Sequence, residues 1–315
     1  MNQKPLFLTI LLLLSLIFSG CGTSTVPALA SVEPTASPAA IATAVPTSLP
    51  AATSTTPPTS TSAPEPTTTI APTPASGEVQ VSAKDGMEMV YVPAGDFSMG
   101  STAGTSDEQP VHTVTLDGFW IDKTEITNLM YSQCVQADAC LRPNTNGSNT
   151  HVNYYSNTQY ANYPVIDLRW SSAEKYCAWA GRRLPTEAEW EKAARGTDGR
   201  IYPWGNDNPT NSLLNFNNPA GDALRVGSFP KGVSPYGALD MVGNLREWVA
   251  DWYGANYYAA SPQSNPIGPM EGQYRVLRGG SWHSDLYLVR SADRQFLAPD
   301  TRDISVGFRC VLASP

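Results

Sequence analysis

Residues 22–77 set the first limit on what this chain can fold into. They are almost entirely Ser, Thr, Pro and Ala, and only Glu33 and Glu65 are charged. Such a stretch has no apolar periodicity and cannot bury enough surface to offset the entropy of folding. We predict a disordered stalk over residues 22–77, with an extended reach on the order of 150 Å. A folded domain is therefore predicted over residues 78–315.

The first 21 residues are typical of a processing segment. Lys4 supplies a positive start, Leu6–Phe18 is apolar, and Ser19-Gly20-Cys21 follows. The apolar run is too short to span a membrane. Small residues before a cysteine resemble the lipobox of bacterial lipoproteins, which predicts that Cys21 is lipidated. An ordinary signal peptide is the alternative. The lipoprotein interpretation places the chain on the extracytoplasmic face of the cell membrane, held by its lipid.

The charge and composition of the chain limit both its fold class and the partners that it could bind. The formal net charge is −8, and only 15% of residues are charged, with 27 Pro and 24 Gly. A nucleic-acid binder would need a basic patch, so we expect no nucleic-acid partner. The Pro and Gly content favours a loop-rich secreted fold over a helical bundle. We expect the protein to be a monomer.

Several short strands are predicted. Val90–Val92 begins a segment that reads as a hairpin over residues 89–99, with Pro93–Asp96 as its turn. Residues 111–120 alternate between apolar and polar side chains, which indicates one strand. Further strands are expected at residues 274–277 and 306–311.

Three helices are predicted from their capping signals. Thr127 is a plausible N-cap for a helix through Cys134. Ser171 with Glu174 suggests a capping box before a helix over residues 173–180 that ends at Gly181. Thr186 with Glu189 suggests another, before a helix over residues 187–195 that stops at Gly196.

The stretch Leu239–Tyr253 carries two carboxylates around a turn. Gly243 and Asn244 favour the turn because both tolerate positive φ, with Asp240 on one side and Glu247 on the other. Oxygen ligands from a turn suit calcium. The alternative is an ion pair from Glu247 to an arginine such as Arg246 or Arg278. Trp248 and Trp252 are predicted to share a helical or irregular apolar face.

Several motifs together resemble one family. They are MVYVPAGDFSMGS (89–101), DEQPVHTVTLDGFWIDKTEITNLMY (107–131), GRRLPTEAEWEKAARG (181–196), YPWGN (202–206), YGALDMVGNLREWVADWY (236–253), RVLRGGSW (275–282) and VGFRC (306–310). The chain from about Gly86 onward is similar to the sulfatase-modifying-factor, or formylglycine-generating-enzyme, domain. The resemblance implies an α+β, C-type-lectin-like fold that is loop-rich and stabilised by calcium sites and disulfides.

The resemblance also implies two calcium sites. The first would use the side chains of Asp240 and Glu247 with the carbonyls of Gly243 and Leu245. The second would use the side chains of Asn215 and Asp222 with the carbonyls of Phe216 and Leu224. Calcium is the cofactor that we expect.

The cysteines fit an oxidising compartment. The resemblance implies a disulfide between Cys177 and Cys310. Cys134 and Cys140 remain, and a local bridge is their simplest use, with a metal-binding pair as the alternative.

The chain departs from the family at the copper site. Oxidase members bind copper through two cysteines that follow the GGS[WY] motif. The matching positions here are Ser284 and Val289, and neither side chain is a soft thiolate that Cu(I) prefers. We therefore expect no copper and assign no catalytic residue.

The remaining candidates are weaker. His283, Ser284 and Asp285 are adjacent and cannot form a catalytic triad with one another, so a polar cleft wall is the simpler interpretation. His112 is predicted to be a structural histidine with its hydrogen bonds satisfied, and His151 is predicted to be exposed. Most tryptophans are predicted to be core, whereas Tyr253, Tyr257 and Tyr258 are predicted to be exposed aromatic groups suited to sugars or peptides.

Three functions follow from these features. The first is a lipid-anchored binding or accessory module, without copper, for a protein or glycan. The second is an active oxidase, which converts sulfatase cysteine to formylglycine or performs another metal-dependent oxidation. The third is a purely structural envelope protein.

Overall fold

The computed structural model describes residues 73–314. The predicted signal segment 1–21, the lipidation site Cys21 and the predicted stalk up to residue 72 lie outside these residues, and those predictions stay open. Within the described range, no helix combines the length and the apolar character needed to cross a membrane.

Strands and short helices alternate along the domain. The strands are β1 (Val79–Val81), β2 (Glu88–Val92), β3 (Gly95–Met99), β4 (His112–Leu116), β5 (Phe119–Asp122), β6 (Arg246–Trp252), β7 (Arg275–Arg278), β8 (Arg294–Leu297), β9 (Val306–Phe308) and β10 (Val311–Ala313). The α-helices are α1 (Asn128–Gln136), α2 (Trp170–Trp179) and α3 (Glu187–Arg195). Long irregular segments join them, which confirms the loop-rich α+β prediction.

The strands form two four-stranded sheets and a separate pair. One sheet has the order β1-β2-β5-β10, the other has the order β8-β7-β6-β9, and β3 pairs with β4 alone. Pairing is antiparallel except between β6 and β9. Only Arg309 and Cys310 separate β9 from β10, so this short segment contributes one strand to each sheet.

Three strand predictions were wrong. The predicted hairpin over residues 89–99 does not form, because β2 pairs with β1 and β5 whereas β3 pairs with β4. The predicted single strand 111–120 is broken at Asp117–Gly118 into β4 and β5. Gly118 fits there because a Cβ would lie 2.2 Å from the Tyr91 hydroxyl. The predicted strand 306–311 is broken at Arg309–Cys310, because β9 and β10 belong to different sheets. The strands β1 and β8 were not predicted.

The capping signals predicted two helix starts correctly. The Thr127 hydroxyl accepts a bond from the Met130 N–H at 3.3 Å. Thr186 and Glu189 form the predicted capping box, and Gly196 ends α3. The predicted box at Ser171 is wrong, because α2 starts at Trp170, one residue before it. A long-range bond from the Trp170 N–H to the Pro299 carbonyl, at 3.1 Å, holds that end of the helix.

Both disulfides are present as predicted. Cys134–Cys140 closes the end of α1, and Cys177–Cys310 joins α2 to the segment between β9 and β10. The second bridge closes a loop of 133 residues. In a chain-entropy model, such a loop contributes about 4–5 kcal/mol to stability.

Helix α3 is buried along its whole length, including its charged residues. Glu187 pairs with Arg294 at 2.7 Å and with Arg278 at 3.3 Å. Glu191 pairs with Arg278 at 2.5 Å and with Arg195 at 3.1 Å. We call these five residues the α3 ion cluster. Burial alone would raise the pKa of Glu187, but Arg294 and Arg278 outweigh it and hold that pKa below its ordinary value.

Candidate functional site

The turn before β6 has the predicted backbone conformation. Gly243 and Asn244 have φ of 75° and 59°, and Asp240 also lies in the left-handed region at 54°. The residues after the turn form a strand rather than a helix, so Trp248 packs into the core at 1% exposure. Trp252 is only partly buried.

Glu247 is neutralised by an arginine, but not by the ones predicted. Arg309 donates to both of its oxygens at 2.7–3.0 Å, and the Trp190 Nε1–H donates to Oε2 at 2.8 Å. Arg278 lies opposite Glu247 in the sheet but points its guanidinium into the α3 ion cluster. Glu247 therefore forms an ion pair with an arginine, as the alternative prediction stated, but the partner is Arg309.

A third buried acid, which the sequence interpretation missed, lies beside this turn. Glu125 is 0% exposed, and its described donors come from the Asn244 amide, at 3.0 and 3.3 Å. Burial raises the pKa of Glu125 well above its usual range, and the charges of Asp240 and Glu247 raise it further. Burial also raises the pKa of Asp240 to about 6. We call Glu125, Asp240 and Glu247 the turn acid cluster.

The second predicted site lies next to the first. The Asn244 Oδ1 accepts from the Leu224 N–H at 2.8 Å and from the Asn215 amide at 3.2 Å. The Asn215 Oδ1 is buried and has no hydrogen-bond partner in the described residues. The Asp222 carboxylate accepts from the Ser148 and Thr150 hydroxyls. Asn244 therefore connects the two predicted sites, a role that the sequence interpretation did not give it.

These residues fit a hard cation in two respects. The turn acid cluster has three acids against one arginine, and the Asn215 Oδ1 is an oxygen without a donor. Within residues 73–314, no three histidine, cysteine or acidic side chains come together as a metal-binding group. A cation here would therefore depend on carbonyl oxygens such as those of Gly243, Leu245, Phe216 and Leu224. Such mixed ligation is ordinary for calcium.

The positions that match the copper ligands do not fit a thiolate site. The Ser284 Oγ accepts from the Ser281 N–H at 2.9 Å, and Ser284 is 4% exposed. Val289 is 0% exposed and packs in the main apolar core. All four cysteines among residues 73–314 are in disulfides. The described residues therefore offer no free thiolate to a soft metal.

The loop around these positions is partly exposed. His283 is exposed, with its Nδ1 3.2 Å from the Ser281 Oγ. Partial burial of the imidazole within the loop and the nearby Arg246 lower the pKa of His283. Tyr287 is 73% and Leu286 39% exposed. The chain at Asn217–Asn218 covers the other side, because its N–H groups donate to the carbonyls of residues 284 and 282.

Three other predictions require correction. His151 is not freely exposed, because its ring stacks on Tyr160 with centroids 4.5 Å apart. His112 packs against Tyr258, but its Nε2 is buried without a hydrogen-bond partner in the described residues. Tyr258 is 2% exposed and belongs to the core.

Tyr253 and Tyr257 are also less exposed than predicted, because both pack partly against the core. Of the tryptophans, Trp190, Trp248 and Trp282 are buried as predicted, and Trp204 is partly buried.

Comparison with known proteins identifies the family. Residues 75–314 match the model of the sulfatase-modifying factor enzyme 1-like domain. The formylglycine-generating enzyme of Streptomyces coelicolor is 34% identical over 275 residues, which covers 70% of this chain and 88% of that protein. The serine/threonine-protein kinase pkn1 of Chlamydia pneumoniae is 39% identical over 236 residues, or 71% of this chain.

The match spans only 37% of that kinase's length. Among solved structures, PvdO from Pseudomonas aeruginosa is 26% identical with a TM-score of 0.66, covering 77% of this chain and all of that chain. These matches agree with the sequence motifs and with the loop-rich α+β fold. The chain belongs to the sulfatase-modifying factor enzyme 1-like domain family.

Proposed function

We propose that this chain is a lipid-anchored extracytoplasmic domain that binds a protein or glycan ligand and performs no copper-dependent oxidation. The observation that carries the proposal is the pair Ser284 and Val289 at the positions where the family's oxidases hold copper. A hydroxyl and an isopropyl group cannot supply two thiolates. The exposed Tyr287 and Leu286 on the same loop are the kind of side chains that anchor interfaces.

Calcium is the cofactor in this proposal. Its role is structural, because the candidate oxygens lie among buried residues that connect β6, the 215–224 segment and Glu125. A divalent cation would offset the excess negative charge of the turn acid cluster. The proposal further holds that the protein is a monomer without a nucleic-acid partner.

Copper affinity and oxidase activity test the proposal together. The purified chain is titrated with Cu(I) against a chromophoric chelator, and a cysteine peptide derived from a sulfatase is assayed for formylglycine by mass spectrometry. We expect neither copper uptake nor conversion. The matched control is the double variant S284C/V289C, which should take up copper because it restores both thiolates. Conversion of the peptide by the unaltered chain would establish the alternative, an active oxidase.

The anchor and the ligand need separate experiments. Labelling of the expressed protein with an alkyne fatty acid should be abolished by Cys21→Ala, and labelling that survives this change would contradict lipidation at Cys21. Glycan and peptide arrays then test binding, with Tyr287→Ala as the variant expected to weaken any hit. Arrays without a specific hit would favour a purely structural envelope role.

A further inference from the structure

A second concave surface lies away from the loop that carries Ser284. It is a cavity of about 510 Å³ between the start of β5, the helix α2, the cap of α3 and the segment 265–267. Its lining is mostly apolar, with Leu116, Phe119, Trp170, Leu184, Ala250 and Ile267. This volume lies within the range of ligand-binding pockets. We call it the β10 cavity, because Ala313 and Ser314 also line it.

The lining of the β10 cavity includes none of the proposed calcium ligands and neither Ser284 nor Val289. Arg246, at the start of β6, lies close enough to His283 to lower its pKa. Ala250, which lines the cavity, is four residues further along the same strand. At the rise of a strand this separation is about 13 Å. A ligand in the cavity would therefore contact a different part of the domain.

The rim of the cavity carries excess negative charge. Asp117, Glu174 and Glu189 line it together with Arg183, and the Arg275 guanidinium lies over the ring of the lining Trp170 at 3.7 Å, so three acids face two cations. The Arg183 guanidinium is already held by Glu189 through two bonds of 2.6 and 2.7 Å. Glu174 is exposed and has no ion-pair partner among residues 73–314, and Asp117 accepts only from the Asn265 amide. The rim therefore favours a ligand with positive charge.

The edge of β10 offers unpaired backbone groups at the same place. The Val311 N–H and C=O point away from β5 and bond to Arg183, at 2.7 and 2.9 Å. Alternation along the strand points the N–H and C=O of Ala313 in the same outward direction. The Ser314 N–H turns back to the Gly118 carbonyl at 3.2 Å, and Ala313 has no outward backbone partner in the described residues. Ala313 is exposed, so this short edge is open to another strand.

We propose that the β10 cavity receives an extended segment of a partner polypeptide, which pairs with β10 at Ala313. One apolar side chain of that segment lies on the cavity floor, and neighbouring lysine or arginine side chains lie beside Glu174 and Asp117. Strand addition supplies affinity through the backbone, and the pocket and the rim charges supply specificity. This surface is separate from the loop of the proposed function, and neither proposal depends on the other.

The experiment uses the full chain and three defined peptides. The probe is acetyl-Lys-Leu-Val-Leu-Lys-amide, and the matched control is acetyl-Glu-Leu-Val-Leu-Glu-amide. The third peptide is the lysine probe with N-methylated Val and Leu amides, which cannot pair as a strand. Binding is measured by titration calorimetry, and its position by methyl NMR of Ile267, whose side chain is 60% exposed at the cavity.

We expect the lysine probe to bind with a Kd of about 10–100 µM and to shift the Ile267 methyl signal. The acidic and N-methylated peptides should bind at least about ten-fold more weakly. Glu174→Gln should weaken the lysine probe by about three-fold, consistent with one partly exposed charge pair. The exposed Glu271→Gln should leave its affinity unchanged. Equal affinity for all three peptides, or no shift at Ile267, would overturn the proposal.

Discussion

Two buried charge clusters in this domain are balanced in opposite ways. The α3 ion cluster has two acids and three arginines, and its guanidinium groups also donate to carbonyls, as Arg278 does to those of residues 291–293. The turn acid cluster has three acids and one arginine. Among residues 73–314, the donor to its surplus carboxylate, Glu125, is the Asn244 amide.

This difference teaches a general point about buried charge. Carbonyl oxygens are available throughout an irregular backbone, so a surplus buried arginine finds acceptors readily. A surplus buried carboxylate needs N–H donors or a cation, and otherwise it protonates. The raised pKa of Glu125 means that it is protonated when no cation is bound. We propose that bound calcium provides the other solution. The predictions below separate these two outcomes.

The largest effect is expected from removing the shared cation of the α3 ion cluster. Arg278→Met leaves Glu187 and Glu191 without their main buried partner, which should lower the free energy of unfolding by about 3–5 kcal/mol. Denaturant unfolding measures this. The control is Arg169→Met, because Arg169 forms an exposed pair with Asp300 at 3.7 Å and such pairs contribute little. Similar losses in both variants would contradict our account.

Neutralising one acid in each cluster tests the comparison directly. Glu187→Gln removes a charge whose pKa is lowered, so we expect a loss of about 2–4 kcal/mol. Glu125→Gln removes a charge that its surroundings disfavour, so with chelator present stability should change by less than about 1 kcal/mol. Both are isosteric and leave no cavity. A loss for E125Q as large as that for E187Q would show that Glu125 is not surplus.

Calcium should stabilise the turn acid cluster. At about 100-fold excess over its dissociation constant, a ligand adds about 2.7 kcal/mol, which raises the Tm of a domain of this size by roughly 5–10 °C. Scanning calorimetry with chelator and then with calcium measures this. Asp240→Asn and Asp222→Asn should each remove part of the rise. A Tm that does not respond to chelator or calcium would remove the ion assignment.

Two buried acids predict a pH dependence in chelator. Burial raises the pKa of Asp122 from 3.8 to about 7 and that of Asp293 to about 6. Between pH 3.8 and about 7, the folded state therefore binds more protons than the unfolded chain. Their stabilising contribution is complete below pH 3.8 and is lost as pH rises through about 7. Unfolding free energy should fall by on the order of 4 kcal/mol from pH 5 to pH 8, and Asp122→Asn should remove more than half of this decline.

Features that depend on neighbouring residues were predicted well from the sequence. Features that depend on long-range contacts were predicted poorly. The capping box at Thr186 and the turn at Gly243–Asn244 depend on neighbouring residues, so they were predicted correctly. The start of α2 depends on a bond to Pro299, and β2 pairs with β1 and β5 instead of forming a local hairpin. Neither feature is visible in local spacing. The partner of Glu247 is 62 residues away, and Glu125 joins Asn244 across 119 residues.

The motifs therefore located the site but not its charge balance. The turn at Gly243 and Asn244 pointed to Asp240 and Glu247, and the family resemblance agreed, whereas no turn or spacing marks out Glu125 within residues 107–131. A buried acid between a strand and a helix N-cap, as in Glu125-Ile126-Thr127, is a signal that sequence analysis can use. Its burial at 0% exposure depends on packing that only the structure gives.

The segment with β9 and β10 has a consequence for biogenesis. Neither four-stranded sheet is complete until residues 306–313 are available, and the long-range disulfide also needs Cys310. A growing chain with residues 73–305 already outside the ribosome lacks the final strand of each sheet. Assembly of both sheets must therefore await synthesis of residues 306–313, so the strands from residues 73–305 cannot close the domain by themselves.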